Sequence, residues 1–168
     1  MSAARKERTM ELTTDIFSLF DKKWALLTAG DRVSFNSMTV SWGGLGTLWG
    51  KSVATVYVRT SRYTHEFLDR EDWFTLSFFP ESCRDKLLLL GTKSGRDMDK
   101  MGGSGLEALP CGPGVTYREA EATLLCRKLF MQPLDPARIP PDIRERLYGK
   151  DAPHDLYIGE VTELIRRG

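Results

Sequence analysis

The sequence is poor in cysteine and histidine and carries almost no net charge. Its three cysteines, Cys83, Cys111 and Cys126, are an odd, scattered set without a CxxC spacing, which argues against a disulfide framework or a zinc finger. The 24 Lys and Arg residues nearly balance the 23 Asp and Glu residues, whereas nucleic-acid binders and polybasic anchors carry a basic excess. No apolar run approaches the roughly 18 residues of a membrane-spanning helix. We therefore expect a soluble, cytoplasmic protein that binds neither nucleic acid nor membrane.

Several catalytic motifs are also missing. The sequence has no GxSxG, HExxH, Walker or GxGxxG pattern, so a hydrolytic triad or catalysis by a bound metal has no support. Of the two histidines, His65 is expected on the surface of a helix, and His154 directly precedes the last predicted strand. Cys126 lies in an apolar stretch, which predicts a buried thiol.

The 168 residues, 41% of them hydrophobic, are enough for one domain with its own core. We assign residues 1–12 to a flexible N-terminal arm and residues 13–168 to a single domain. At least six short strands, three or four short helices and no regular βαβα alternation predict a mainly β fold. A closed or partly closed antiparallel barrel would bury these strands without exposed edges.

The local patterns predict individual elements. Thr13 or Thr14 is expected to cap a first helix, and Ser61 or Thr64 a second helix that runs to Arg70. A third helix should end at Gly91. The stretch 91–116 is expected to be a long irregular loop with one helical turn at 97–101. The predicted strands cover residues 24–28, 34–42, 53–59, 73–79, 120–130 and 156–165, and a further helix covers 143–148.

A turn rich in arginine and hydroxyl groups joins a strand to a helix at residues 59–64 (RTSRYT). The N–H groups and positive dipole end of a new helix favour an anion, and arginine can donate two hydrogen bonds to a phosphate. A phosphate monoester fits this turn best. The alternative is a capped helix whose arginines are solvated and pair with Glu66 or Asp69.

Two more stretches carry polar side chains suited to a ligand. Residues 36–46 (NSMTVSWGGLG) place small polar groups and glycines on a strand, with Met38 and Trp42 as apolar walls, which suits a flat heteroaromatic ring. A solvent-facing strand edge is the alternative. In the loop 94–100 (SGRDMDK), Asp97 and Lys100 are one helical turn apart and could face the same ligand, although solvated loop residues are the simpler interpretation.

In order and spacing, these segments resemble the flavin reductase family, whose fold is the FMN-binding split barrel, and more narrowly its flavoredoxin-like branch. The resemblance spans most of the chain from Ala25 onward. The matching stretches are FNSMTVSWGGLGTLW (35–49), VYVRTSRYTHEFL (56–68), FTLSFFPESCRDKLLLLGTKSGRDMDK (74–100), ATLLCRKLFMQPLDP (122–136) and HDLYIGEV (154–161).

The resemblance implies an antiparallel, Greek-key split β-barrel that forms a homodimer with FMN near the subunit interface. His154 would lie on the nicotinamide side as the tentative catalytic residue, although relatives often have Asp where this chain has Pro153. The implied FMN-binding residues are Asn36, Ser37, Met38, Thr39, Ser41 and Trp42 at the ring, Arg59, Ser61, Arg62, Tyr63 and Thr64 at the phosphate and ribityl chain, and Ser94, Gly95, Asp97 and Lys100 in the closing loop.

The resemblance implies a flavin reductase-like enzyme that passes electrons from NAD(P)H to FMN. A redox partner protein or a flavin-dependent oxygenase would receive the reduced flavin. The alternative is an electron carrier of the flavoredoxin type, with tightly bound FMN and no direct NAD(P)H activity. A third and weaker alternative is a module that binds another phosphorylated ring, such as pyridoxal phosphate.

Overall fold

The computed structural model describes the backbone of residues 5 and 6 and the whole of residues 11–167. Most of the predicted arm, residues 1–12, lies outside the described residues. The strands are β1 Arg5–Lys6, β2 Ala25–Gly30, β3 Phe35–Val40, β4 Gly43–Leu48, β5 Lys51–Arg59, β6 Trp73–Phe78, β7 Ala108–Cys111, β8 Gly114–Tyr117, β9 Ala122–Pro133 and β10 His154–Arg166. The α-helices are α1 Ile16–Asp21, α2 Tyr63–Arg70, α3 Arg84–Thr92, α4 Lys100–Ser104 and α5 Pro141–Leu147.

Within the described residues, eight strands form one antiparallel sheet. Its order is β3-β2-β6-β9-β10-β5-β4, and β1 pairs with the end of β10. Strands distant in the chain are neighbours, since β2 pairs with β6 and β5 pairs with β10. The two edges of the sheet, β3 and β4, are joined by only Ser41 and Trp42. The fold is therefore mainly β with short helices, as predicted, and its sheet is open between two consecutive strands.

Apolar side chains are buried on both faces of the sheet. Leu26 and Leu27 are adjacent in β2, point to opposite faces and are both fully buried. Leu27 belongs to a large core with residues of β5, β6, β9, β10 and α2. Leu26 belongs to a second core with α3 and the hairpin β7–β8. Burial on both faces explains why β2 is a continuous apolar run rather than an alternating one.

Two details of the helices differ from the sequence expectation. Asp15, rather than Thr13 or Thr14, caps α1, because its carboxylate accepts hydrogen bonds from the amides of Phe17 and Ser18. Gly91 lies inside α3, which continues to Thr92, so its predicted role as a helix stop was wrong. Gly91 instead leaves room for Thr39, because a Cβ added at Gly91 would lie only 3.2 Å from the Cβ of Thr39.

The stretch 91–116 is more ordered than predicted. It contains α4 and the hairpin β7–β8, whose strands pair from Ala108↔Tyr117 to Cys111↔Gly114. Tyr117 is fully buried, and its hydroxyl bonds with Thr28 and Ser37 on the sheet. The loop prediction failed here because the hairpin is stabilised by docking onto the sheet, a contact that local propensity does not report.

None of the helices in residues 11–167 has the length and apolar character needed to cross a membrane.

Candidate functional site

The turn between β5 and α2 leaves the start of α2 without a side-chain cap. Arg62 occupies the N-cap position with an extended backbone and makes no capping hydrogen bond. Thr64 lies inside the helix, is buried, and accepts a hydrogen bond from the Asn36 amide at 2.7 Å. The prediction that Ser61 or Thr64 caps this helix was therefore wrong. The positive dipole end of α2 therefore has no side-chain cap to compete with an anion, although the amide of His65 already donates to the carbonyl of Arg62.

Three cations converge on this turn, and backbone carbonyls hold each of them. Arg59 donates to the carbonyl of Leu147 at 2.8 Å, and its guanidinium lies 5.2 Å from the centre of the Tyr148 ring. Arg62 donates to Gly91 at 3.0 Å. Lys100 donates to the carbonyls of residues 90 and 93, both at 3.1 Å. Arg62 and Lys100 thus lie at the C-terminal, electronegative end of α3.

Carboxylates do not neutralise this group of cations. Burial and the neighbouring Arg59 charge lower the pKa of Arg62. Burial and the Arg62 charge lower the pKa of Lys100 to about 8. Among residues 11–167, neither Arg62 nor Lys100 takes part in an ion pair, and the carboxylate paired with Arg59 is that of exposed Asp151, at 4.0 Å. We name Arg59, Arg62 and Lys100 the cation cluster.

The alternative of solvated arginines paired with neighbouring carboxylates is wrong. Glu66 forms its ion pair with Arg96 of the following loop. The carboxylate of Asp69 faces His65, with 3.4 Å between Oδ2 and Nδ1, and accepts a hydrogen bond from Tyr157. Both acidic groups proposed as partners are thus used elsewhere, and the cation cluster retains its positive charge.

The loop after α3 folds over the same turn. Arg96 donates to the carbonyl of Ser61 at 3.0 Å, and its guanidinium lies 5.1 Å from the centre of the Tyr63 ring. Gly95 packs so closely that an added Cβ would overlap the Asn36 carboxamide oxygen and lie 3.0 Å from Tyr63. The loop 94–100 therefore lies beside the arginine turn, in contact with Ser61, Tyr63 and Asn36.

The members of that loop do not all face the same way. Lys100 is buried in the cation cluster, whereas Asp97 is exposed. That both face one ligand stays a prediction. The Ser94 hydroxyl accepts a hydrogen bond from the amide of Arg96 and shapes the turn.

The polar strand β3 divides its side chains between its two faces. Asn36 and Met38 share one face, where Met38 belongs to the large core. Ser37 and Thr39 share the opposite face. The Ser37 hydroxyl is fully buried and bonds with Thr28 and Tyr117, and Thr39 donates to the carbonyl of residue 87. These two hydroxyls are therefore bonded on the face of β3 opposite to that of Asn36 and Met38.

His154 lies at the start of β10, where Trp42 covers it. The ring centres of these two residues are 5.1 Å apart, and His154 Nδ1 is 2.9 Å from the Tyr148 hydroxyl. Burial and the Arg59 charge lower the pKa of His154 to about 4, against an opposing effect of Asp155. His154 is thus neutral at physiological pH and acts as a hydrogen-bonding group rather than a cation.

An open groove of about 1010 Å³ begins beside Trp42. It runs between α1 and the start of β4, and Ser41 and Tyr57 line it with Trp42. Trp42 itself is 42% exposed. The two residues that join the sheet edges thus open onto a space large enough for an aromatic ligand.

His65 was expected on the surface, and this expectation was wrong. It is only 8% exposed, and its Nε2 lies 2.6 Å from an oxygen of buried Asp155. Although His65 follows the arginine turn directly, its side chain points from α2 towards β10. The strand partner that buries it is 90 residues away in the sequence.

Sequence reasoning missed the roles of two residues, Tyr148 and Asp155. Tyr148 contacts both Arg59 and His154, and Asp155 contacts His65. Neither residue stands in a recognisable motif. The antiparallel pairing of β10 with β5 places His154 opposite Arg59, and Tyr148, at the end of α5, contacts both.

Comparisons with known proteins bear on the fold. No protein-family model matches the sequence, and neither does any curated protein. Among solved structures, an FMN-binding protein from Thermus thermophilus with bound 1-cyclohex-2-enone is 21% identical, with 95% of this chain and 79% of that chain covered and a TM-score of 0.67. A flavoredoxin from Methanosarcina acetivorans is 19% identical, with 96% and 76% covered and a TM-score of 0.68.

A third structure of the same kind is the FMN-binding domain of a flavin reductase-like enzyme from Shewanella baltica OS155. It is 18% identical, with 90% of this chain and 72% of that chain covered and a TM-score of 0.64. These likenesses extend over nearly the whole described chain and agree with the resemblance seen in the sequence. The chain therefore has the split-barrel fold of the FMN-binding, flavin reductase-like proteins and flavoredoxins.

Proposed function

We propose that this protein binds FMN and is a flavin reductase-like oxidoreductase whose flavin accepts electrons from NAD(P)H. The observation that carries the proposal is the cation cluster at the uncapped start of α2, where no carboxylate of residues 11–167 pairs with Arg62 or Lys100. A phosphate dianion would supply the missing negative charge. The names of several proteins with the same fold state that they bind FMN, which supports this choice of phosphorylated ligand.

The donor set suits a phosphate monoester. Two guanidinium groups, one ammonium group and the first amides of α2 are all hydrogen-bond donors, and guanidinium groups match phosphate oxygens in geometry. Burial and the Arg62 charge lower the pKa of Lys100 to about 8, and a bound anion would raise this pKa again, since negative charge favours the protonated amine. Tyr63, Gly95 and Arg96 then close the turn from the other side.

FMN supplies the hydride and electron chemistry, and the protein supplies binding and shielding. We assign Trp42, with Asn36 and Ser41, to the ring side of the site. Ser37 and Thr39 would contribute through their backbone, because their hydroxyls are bonded on the other face of β3. His154, beside Trp42 and uncharged, would orient a neutral group such as the nicotinamide carboxamide.

We also propose that two copies form a homodimer. Trp42 and Trp49 are 42% and 64% exposed, and both flank the edge strand β4. Large exposed aromatic groups beside an unpaired strand edge favour association. Oxidised or reduced flavin would then be shielded at the boundary of the two copies.

The phosphate assignment is tested with the double variant Arg59→Ala/Arg62→Ala. Each charged hydrogen bond contributes about 1.5–3 kcal/mol, so the Kd for FMN should rise by at least about 100-fold for the pair. Riboflavin, which has the same ring and no phosphate, should bind to the variant and to the wild type with similar Kd. Flavin fluorescence titration measures both.

A matched control replaces two arginines outside the cluster. Arg118 and Arg127 are exposed and pair with Glu107 and Glu160, and Arg118→Ala/Arg127→Ala should leave the Kd for FMN unchanged. If the cluster variant retained wild-type FMN affinity, the phosphate would lie elsewhere and the proposed site would be wrong.

Measurements of NAD(P)H oxidation and of the absorption spectrum distinguish the reductase from the electron carrier and from a module that binds pyridoxal phosphate. NADH or NADPH oxidation that depends on FMN supports the proposal. A protein that keeps FMN bound and does not oxidise NAD(P)H would instead be an electron carrier. A single main absorption band at shorter wavelength than the two flavin bands would indicate pyridoxal phosphate.

A further inference from the structure

Tyr148 contacts two residues at opposite ends of the proposed site. It is the C-cap residue of α5 and is only 8% exposed. The centre of its ring lies 5.2 Å from the guanidinium carbon of Arg59, and its hydroxyl oxygen lies 2.9 Å from Nδ1 of His154. Because β5 and β10 pair His154 with Arg59, this one tyrosine contacts both members of the pair. Its ring packs at Arg59, and its hydroxyl is bonded to His154.

The two ring nitrogens of His154 have different surroundings. Nδ1 is bonded to the Tyr148 hydroxyl. Nε2 makes no hydrogen bond within residues 11–167, yet it is not one of the polar atoms there that are buried without a partner, so it is accessible from outside the protein. Trp42 packs against the same ring and also lines the open groove beside α1. Nε2 is thus the nitrogen available to a ligand at Trp42.

Hydrogen-bond counting favours one position for the single proton of the neutral His154 ring. With the proton on Nδ1, the Tyr148 oxygen would accept, and the hydroxyl hydrogen would have no other acceptor within residues 11–167. With the proton on Nε2, the hydroxyl donates to Nδ1 and every group at this contact is paired. A buried donor without an acceptor is costly, and Tyr148 is buried, so the second arrangement is favoured.

We propose that Tyr148 is a positioning residue that keeps the proton of His154 on Nε2 and so makes this nitrogen a hydrogen-bond donor. The acceptor is a carbonyl oxygen, namely the carboxamide oxygen of a nicotinamide beside Trp42. Tyr148 itself contacts no ligand. The inference rests on the proposed function for the identity of the ligand, whereas the position of the proton is a property of the protein alone.

Nitrogen NMR of protein labelled with ¹⁵N-histidine tests the position of the proton. The chain contains two histidines, His65 and His154, so the spectrum of His154→Gln assigns both sets of signals. Near neutral pH we expect His154 to have a protonated Nε2 and an unprotonated Nδ1. Tyr148→Phe lacks the hydroxyl and keeps the ring at Arg59. In this variant we expect a mixture of the two tautomers.

The matched control removes the hydroxyl of another buried tyrosine. Tyr157 lies in the same strand as His154, and its hydroxyl donates to Asp69 at 2.6 Å. Tyr157→Phe should leave the His154 proton on Nε2. The proposal is overturned by a wild-type proton on Nδ1, by a Tyr148→Phe spectrum identical to that of the wild type, or by the same mixture of tautomers in both variants.

Reduced dinucleotides with an altered nicotinamide test the ligand. The acetylpyridine analogue keeps the carbonyl oxygen and lacks the amide N–H, so its KM should lie within about threefold of that of the natural dinucleotide. The thionicotinamide analogue presents sulfur, a weaker acceptor, and its KM should be about three- to tenfold higher, the effect of one neutral hydrogen bond. Tyr148→Phe should raise the KM of the natural dinucleotide by about two- to fivefold, and in the His154→Gln background it should have no further effect.

The outcomes also separate this inference from the proposed function. If the protein oxidises neither NADH nor NADPH, the reductase and its nicotinamide ligand are wrong, whereas a proton held on Nε2 by Tyr148 supports the positioning role. If oxidation occurs but the acetylpyridine analogue alone has the raised KM, Nε2 accepts a hydrogen bond, and the donor role is wrong while the reductase stands. If Tyr148→Phe does not fold, the wild-type spectrum gives the answer: a proton on Nε2 with a hydrogen-bonded Nδ1 supports the proposal, and a proton on Nδ1 contradicts it.

Discussion

Arg62 and Lys100 illustrate how single residues acquire a binding role from their partners. Both side chains donate to backbone carbonyls at the end of α3, which fixes their positions without cancelling their charge. A carboxylate partner would have held them equally well and removed the attraction for an anion. The sequence indicated an anion beside Arg62, and the resemblance placed Lys100 in the loop that closes over the flavin. Only the structure brings both cations to the end of α3, where neither forms an ion pair with a carboxylate of residues 11–167.

At the same scale, the neutral state of His154 makes a prediction about stability. Its pKa is about 4 when folded and 6.5 in the reference state, so the unfolded chain takes up this proton first as the pH falls. This residue therefore lowers the free energy of unfolding progressively as the pH falls from about 6.5 to about 4, and has no such effect above that range.

The variant His154→Gln lacks this titration. The free energy of unfolding of the wild type minus that of the variant should decrease as the pH falls from about 7 to 5. Urea denaturation at a series of pH values measures this difference. A difference that stays constant over that range would contradict the lowered pKa.

At the scale of elements, the site depends on the contact between the loop after α3 and the β5–α2 turn. Gly95 is the point of closest approach, since an added Cβ would meet Asn36 and Tyr63. Glycine is needed at this position because a side chain would not fit, and not because the residue has a positive φ angle. The Asn36–Thr64 hydrogen bond fixes the opposing surface, so the loop has little room to adjust.

Gly95→Ala should therefore displace the loop. We expect a loss of about 1–3 kcal/mol in the free energy of unfolding, as for other overpacked contacts, together with weaker FMN binding. Denaturant unfolding and flavin titration measure the two effects.

Gly103→Ala is the matched control, because nothing lies within 4 Å of its added Cβ in α4. It should leave FMN binding unchanged and stability equal or slightly higher. Equal behaviour of the two variants would show that the contact at Gly95 is not close.

Helix caps and the hairpin show the limits of local patterns at this scale. Strands β2, β3, β5, β6, β9 and β10 were predicted because apolar periodicity reports burial directly. Cap residues were not, because Asp15, Thr13 and Thr14 all suit the role and backbone geometry selects among them. The hairpin β7–β8 was missed because its stability comes from distant contacts of Tyr117.

For the whole molecule, the proposed homodimer makes a prediction about mass. Sedimentation equilibrium should give twice the mass of one chain. Trp49→Glu places a charge on the exposed aromatic side chain at the β4–β5 turn and should shift the equilibrium towards the monomer. Val33→Glu is the control, since Val33 is 95% exposed in the β2–β3 turn. A wild type that is monomeric at all concentrations, or a Trp49→Glu variant that remains fully dimeric, would contradict this interface.

The sequence by itself determined that the chain is mainly β, that an arginine-rich turn follows a strand, and that a polar strand and a glycine-containing loop accompany it. These features are local, because residue type and spacing decide periodicity and turn chemistry. Tertiary structure alone decided which polar side chains are used within the protein. The hydroxyls of Ser37 and Thr39 are hydrogen-bonded on the face of β3 opposite to Asn36, whereas Arg62 and Lys100 are bonded to backbone carbonyls and keep their charge. It also buried His65 against Asp155. The physical reason is that hydrogen bonding and charge compensation depend on partners far apart in the chain, which only strand pairing brings together.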